Sequence, residues 1–322
     1  QGSVVQAGAK IATNAGSYVA GTEMMVTVTL KDGQGNGATG QAALLTSSAV
    51  TIANATAKAD SAWTDNNDGT YSRTYIANTV GSNLKATLTL SGWTAAVESA
   101  AYAITQGSVV QAGAKIATNE SSYVAGDEMT VTVTLKDGQG NGTTGQKALL
   151  TSTTVGVPNT TAKADSVWTD NNDGTYSRTY IANTVGSNLK ATLKLSGWTT
   201  AAESAAYAIA PDTTNAIITA SVLDNGKALT PADGKAFYEI LISAKDRFGN
   251  ILKSYPVTLS SPVLTEPRAI STSDNGEVTT AIASSIAGTY DVLISSTTNS
   301  SIKSTVTLKF SIDKVNIITP SL

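Results

Sequence analysis

This chain contains a near copy of itself, and that fact limits its fold more than any other. Gln1 aligns with Gln106, and the offset of 105 residues holds without a gap as far as Thr105 and Ala210. Seventeen positions differ and 88 of the 105 are identical, the mark of a recent duplication. The stretch WTDNNDGTYSRTYIANTVGSNLKATL begins at Trp63 and again, unchanged, at Trp168. A unit duplicated whole is a unit that folds whole, and its length matches one β-sandwich of ~100 residues.

The pattern inside the unit is that of strands. In EMMVTVTLKD, Met24, Val26, Val28 and Leu30 share one parity and Met25, Thr27, Thr29 and Lys31 the other. Successive side chains on a strand point to opposite faces, so the first set is the expected core face. In LKATLTL, Leu84, Ala86, Leu88 and Leu90 form the equivalent set. Met25 becomes Thr130 in the copy and Thr89 becomes Lys194, both on the outward parity. Drift confined to one face is expected of half-buried antiparallel strands.

Residues from Pro211 onward differ in sequence but follow the same plan. AFYEILISAKD places Tyr238, Ile240, Ile242 and Ala244 on one face, and GTYDVLIS and STVTLKFSI supply later strands. Gly, Asn and Asp turns separate the strands at short intervals, with no helical period of comparable length. The expected fold class is all-β: three tandem immunoglobulin-like β-sandwich domains, 1–105, 106–210 and 211–322, forming an elongated rod. The junctions AYAITQGSVV and AIAPDTTNAI carry no flexible linker, and Pro211 stiffens the second.

Composition removes most chemistry. His and Cys are both zero, which excludes disulfides, thiolate catalysis, the usual zinc sets and His-based acid–base work. Lys and Arg number 21 against 24 Asp and Glu, so there is no basic footprint for nucleic acid or an anionic membrane. No apolar run approaches the ~20 residues of a membrane helix. The chain opens on Gln1 with no signal peptide, and reads as a fragment of something larger.

One pattern occurs in all three segments. It is KDGQGN with Asp32, Gly35 and Asn36, KDGQGN with Asp137, Gly140 and Asn141, and KDRFGN with Asp246, Gly249 and Asn250. Each follows an alternating strand. Each precedes an Asn/Asp-Gly turn, NNDGTY at Asn66 and Asn171 and SDNGEV at Ser273, and then a Gly-led strand. A YVAG or LTPADG segment comes before the set. This order resembles the bacterial immunoglobulin-like domains of the intimin/invasin family of inverse autotransporter adhesins, and the resemblance covers the whole chain. It implies an exported rod on the bacterial cell surface, anchored by an outer-membrane barrel that these residues do not include. The Cys-containing lectin-like tip of intimin and invasin is also missing, so no receptor-binding residues carry over. Absence of Cys suits export through a narrow pore.

Each candidate site also has a plainer reading. DNNDG, Asp65 to Gly69, hints at calcium, but Asp65, Asn67 and Asp68 break the alternate spacing of an EF-hand loop and no Glu closes it; a hairpin turn is the expectation. Asp32, Gly35 and Asn36 lack the following helix of a phosphate loop, and read as a turn fixed by Asp bonds to nearby backbone N–H groups. Trp63, Trp93, Trp168 and Trp198 could stack on sugars or seal the core edge. Lys85 and Lys190 fall on the outward parity, which opposes a Lys–Asn isopeptide link. No carboxylate pair or activated Ser stands out. The expectation is therefore no catalytic, cofactor or metal residues and an unidentified ligand-binding surface. The partner expected is a host-cell surface or extracellular-matrix protein, with no nucleic acid and no membrane contact, bound by a monomer. A pure spacer, or a carbohydrate-binding or phage-tail module, is the alternative. Any host contact is expected on the third segment's loops, LDNGKALTPADGK and SSPVLTEPRAISTSDNG.

Overall fold

The computed structural model describes residues 2–223 and 229–312. In the first repeat, strand Glu23–Asp32 lies between Val4–Thr13 and Thr70–Ala77, antiparallel to both; Ala55–Ala57 and Thr64–Asp65 pair with Thr70–Ala77. The facing layer has two three-stranded parts. One joins Val50–Ile52, Ala86–Leu88 and Val97–Glu98, and the other joins Ser17–Val19, Tyr102–Thr105 and Gly81–Leu84. Ser17–Val19 runs parallel to Tyr102–Thr105, whereas its neighbours are antiparallel.

The alternation dictates which faces meet. Met24, Val26, Val28 and Leu30 are fully buried, while Met25 is 48% exposed. Ala86, Leu88 and Leu90 are buried opposite them, and Leu84 packs at the margin. Where the facing layer breaks, the buried Ser99 Oγ accepts the Ala86 N–H at 2.9 Å and donates to the Ala100 carbonyl at 2.7 Å. A short hydroxyl thus satisfies a ladder group that the break would orphan. Tyr102 fills the core, edge-on to Tyr18 at 6.1 Å.

The second repeat keeps these registers: Glu128 faces Ile181 as Glu23 faces Ile76. The drift between copies is not wholly outward, contrary to the expectation from the two strands compared above. Buried Ala38 becomes Thr143, still fully buried, and its hydroxyl has no partner among the described residues. Such a group costs roughly 1–3 kcal/mol. Ala38 precedes the next loop and is not on a regular strand, so period-two parity does not reach it.

In the third segment, Phe237–Lys245 lies between Ile217–Val222 and Glu277–Ala283. The facing layer here is a single sheet in the order Thr230–Pro231, Lys303–Ser311, Gly288–Ser296, Pro256–Ser260, Arg268–Ser271. Thr230–Pro231 runs parallel to its neighbour, as Ser17–Val19 does. Tyr238, Ile240, Ile242 and Ala244 are buried as their parity predicts. Three separate apolar clusters result, one each from residues 9–104, 116–209 and 216–310.

Candidate functional site at the junctions

The recurring Asp-x-x-Gly-Asn turn is built around its carboxylate. Asp137 Oδ1 accepts the N–H groups of Gln139 and Asn141, both at 2.9 Å, and Oδ2 accepts the Gly107 N–H at 2.9 Å and the Asn141 Nδ2 at 2.9 Å. Asp32 and Asp246 repeat the arrangement with Gly2 and Asp212 in the place of Gly107. The expected Asx-type turn is present, and the same carboxylate also holds the chain entering each sandwich.

The Asn does something the sequence reading did not anticipate: it leaves its own sandwich. Asn141 Nδ2 donates to the Asn78 carbonyl of the preceding repeat at 2.7 Å, and its Oδ1 accepts the Val80 N–H at 3.2 Å. Asn250 does the same one junction later, to the Asn183 carbonyl at 2.7 Å and from the Val185 N–H at 3.0 Å. Each amide is thereby used on both sides, since its remaining N–H meets its own Asp. The groups gripped are main-chain atoms of the Asn-Thr-Val turn.

The covalent connection has almost no slack. The Thr105 carbonyl accepts the Ala20 N–H at 2.9 Å, which ties it to the first repeat, while Gly107 is tied to Asp137. Only Gln106 lies between, and it exchanges bonds with Thr144 at 2.7 and 2.8 Å. At the next junction the Ala210 carbonyl accepts the Ala125 N–H and Asp212 donates to Asp246, leaving Pro211 between. Pro fixes φ near −65°, so this link is stiff as well as short. The Tyr-Val-Ala-Gly turn closes the other side. Gly21 lies under Gln139, and Gly126 under Arg247 and Phe248, whose charge and ring stack at 4.9 Å. A Cβ on Gly126 would meet the Arg247 guanidinium, and its φ of +106° already favours glycine.

The other candidate residues make the following contacts. In Asp65–Gly69, Asp65 caps the N–H of Asn67 and Gly40, Asp68 caps Thr70, and Gly69 takes φ +86°. The four Trp side chains pack against the cores, and the indole N–H groups of Trp63 and Trp168 are buried with no partner among the described residues. Lys85 and Lys190 are exposed and pair with Glu98 and Glu203 at 2.5 and 2.8 Å. Exposed pairs of this kind contribute little. Of the two third-segment loops, residues 224–228 lie outside the described residues. Among the described residues no cluster of acids could hold a metal.

Protonation should loosen the turns. Four accepted hydrogen bonds outweigh the opposing effect of burial at Asp137 and hold its carboxyl below the ordinary value. At Asp32 the Asn36 N–H is the largest cause of the same lowering, and Asp212 is lowered against burial by Thr214 and Asn215. A depressed folded value gives stability that is complete above the unfolded value of about 3.9 and is lost as pH falls through the folded one. Thermal melts are expected to be flat from pH 7 to 5 and to drop below about pH 4. A melting temperature at pH 3 equal to that at pH 7 would contradict this.

Comparison with known proteins places this architecture. Residues 220–311 match the family described as bacterial Ig-like domain (group 1). Over 199 residues the chain is 28% identical to the inverse autotransporter adhesin YeeJ of Escherichia coli K12, a match covering 62% of this chain and 8% of YeeJ. The third segment thus resembles a bacterial Ig-like domain, and the chain is similar to part of an inverse autotransporter adhesin. The fold agrees: the structure of the Escherichia coli adhesin FdeC superposes with a TM-score of 0.51 at 24% identity, covering 96% of this chain and 99% of that one. A looser likeness, TM-score 0.42 at 20% identity, is to Yersinia pseudotuberculosis InvD, over 94% and 96% of the two chains. The Ig-like chain spans under a tenth of the length of YeeJ, so the activity of such a whole adhesin is not located in these residues by the match.

Proposed function

We propose that this chain is a rod segment of a bacterial cell-surface adhesin, with Ig-like domains 1–105, 106–210 and 211–322 set end to end. The observation that carries the reading is the junction, met twice: one residue of covalent slack, and an Asn amide bridging to the preceding domain. A string of sandwiches joined by loose linkers has no use for either feature. The segment extends or contributes to attachment to host cells or extracellular matrix and performs no catalysis. Its parent is held at the cell surface by an outer-membrane barrel, as the relationship to YeeJ suggests.

Any adhesive contact depends more on the third domain than on the repeats. The two repeats present nearly one surface twice, whereas the third carries its own loops, stiffened by Pro231, Pro262 and Pro267. Prolines lower the entropy lost on binding. Fragments 1–210 and 211–322, each with complete cores, separate the possibilities in a binding assay on cultured cells and immobilised matrix proteins. Binding by 211–322 and not by 1–210 is the expected result; the reverse would overturn it. A spacer without a ligand is the second reading, favoured by the 88 identical positions, since length tolerates duplication better than a specific site does. Failure of both fragments and of the whole chain to bind would select it.

A further inference from the structure

A cleft of about 590 Å³ opens on one side of the second repeat, and none of the roles described above uses it. Val19 of the first repeat forms one wall, and the second repeat supplies the rest, chiefly Ser108, Gln146, Leu149, Ser196 and Trp198. The volume falls in the range of small-molecule sites, about 300–1,000 Å³. Val19 is 45% exposed and Leu149 37%, so two exposed apolar side chains line this one space. The walls are held in place beforehand. Gln111 accepts the Thr199 N–H and donates to the Thr200 carbonyl, both at 3.1 Å, which fixes the turn that carries Trp198. The main-chain N–H of Gln146 donates to the buried Tyr176 hydroxyl at 3.1 Å. A site fixed in this way loses little entropy on binding.

Polar groups in the cleft are left over. The hydroxyls of Ser108 and Ser196 have no partner among the described residues. The Trp198 indole N–H has none either and, unlike that of Trp168, is not buried. Gln146 gives one side-chain N–H to the Thr144 carbonyl at 3.1 Å, which leaves its amide oxygen over. No lining residue carries a charge. The sequence has changed beside the cleft, where Ala42 becomes Lys147 next to Gln146 and Thr89 becomes Lys194 next to Leu195. The exposed Ser108, Leu149 and Ser196 nevertheless match Ser3, Leu44 and Ser91 of the first repeat.

We propose that this cleft binds a neutral saccharide, with a sugar ring against the Trp198 indole and its hydroxyls toward Ser108, Gln146 and Ser196. A charged ligand would meet no counter-charge here. A wholly apolar one would take water from the polar groups and return no hydrogen bond. A sugar has both characters, a C–H face that packs on an aromatic ring and a rim of hydroxyls that donate and accept. One ring and a few hydrogen bonds correspond to a dissociation constant of about 1 mM. A single site of that strength does not hold a cell, so fragment 1–210 is still expected not to attach to cells or matrix proteins.

Saturation-transfer NMR on the whole chain tests the site. The neutral probes are lactose, maltotriose and chitotriose; sialyllactose is the acidic one and an uncharged proline-rich peptide the non-sugar, each at about 10 mM. Transfer to at least one neutral saccharide is expected. Val19→Asp alters the wall that belongs to the first repeat and leaves the core of the second untouched. It should weaken binding about tenfold or more, and so should Trp198→Ala. Trp198 also packs against its core, so if Trp198→Ala lowers the melting temperature, Val19→Asp decides. No transfer to any neutral saccharide, or transfer unchanged by Val19→Asp, would overturn the proposal. Preference for sialyllactose or for the peptide would overturn the ligand class.

Discussion

Gly37→Ala is expected to destabilise the first repeat severely and to leave the other two cores intact. Two turns cross here with their backbones in contact. A Cβ on Gly37 would lie 2.9 Å from the Asp68 carbonyl carbon and closer still to its oxygen, with the Gly69 Cα at 3.1 Å. Neither neighbour is a flexible side chain, so relief requires the turns to part. Parting them strains the Leu30 N–H bond to the Gly69 carbonyl and the Asp32 N–H bond to the Asn36 carbonyl, both 2.9 Å. It also pulls on the buried Tyr71 hydroxyl, which donates to the Ala38 carbonyl. Overpacking against backbone costs about 3 kcal/mol, which for a domain of this size lowers the melting temperature by roughly 12–24 °C. Hydrogen exchange separates the copies: residues 23–32 should lose protection while 128–137 keep it. Unchanged protection in 23–32 would show that the contact is not as close as described. The third segment differs here, because Ile251 stands at the equivalent position and its side chain is accommodated over Gly276; the prediction is specific to the close crossing of the turns in the repeats.

The second large effect concerns shape and not folding. Replacing Asn141 and Asn250 together by Ala removes two hydrogen bonds from each junction, about 1–3 kcal/mol per junction and a factor of roughly 5–150 in the equilibrium between docked and undocked domains. The Asp carboxylates keep their main-chain donors, so each sandwich should melt within a few degrees of the parent. Spin-label distances across each junction should broaden at least twofold, and the mean end-to-end distance should shorten. Distributions unchanged in width would show that the short connection and the Gly126–Arg247 contact fix the angle unaided.

Strands, faces and turns were legible because they are local. Met24, Val26, Val28 and Leu30 announce their burial by parity, and Asp32 announces an Asx turn by its spacing from Gly35 and Asn36. The inward substitution Ala38→Thr143 was not legible, since it sits off the strand where parity says nothing. The Asn bridge was half legible. Asp, Gly and Asn persist in all three turns while the residues between Asp and Gly change from Gly-Gln to Arg-Phe. A turn needs Asp and Gly, and the bond of the Asn side chain to its own Asp leaves one N–H and the amide oxygen to spare. That surplus was the signal. It could not be assigned from sequence because the atoms it grips, the carbonyls of Asn78 and Asn183 and the N–H groups of Val80 and Val185, belong to the main chain and leave no mark on residue identity.

Small-angle X-ray scattering of the whole chain shows directly whether these domains form a stiff, extended segment. Three sandwiches of ~40 Å set end to end span on the order of 120 Å, which corresponds to a radius of gyration of about 35 Å. A compact chain of this length would give about 20 Å. The larger value is expected, with a pair-distance distribution that is skewed toward a long tail and insensitive to salt. A radius of gyration near 20 Å would contradict it.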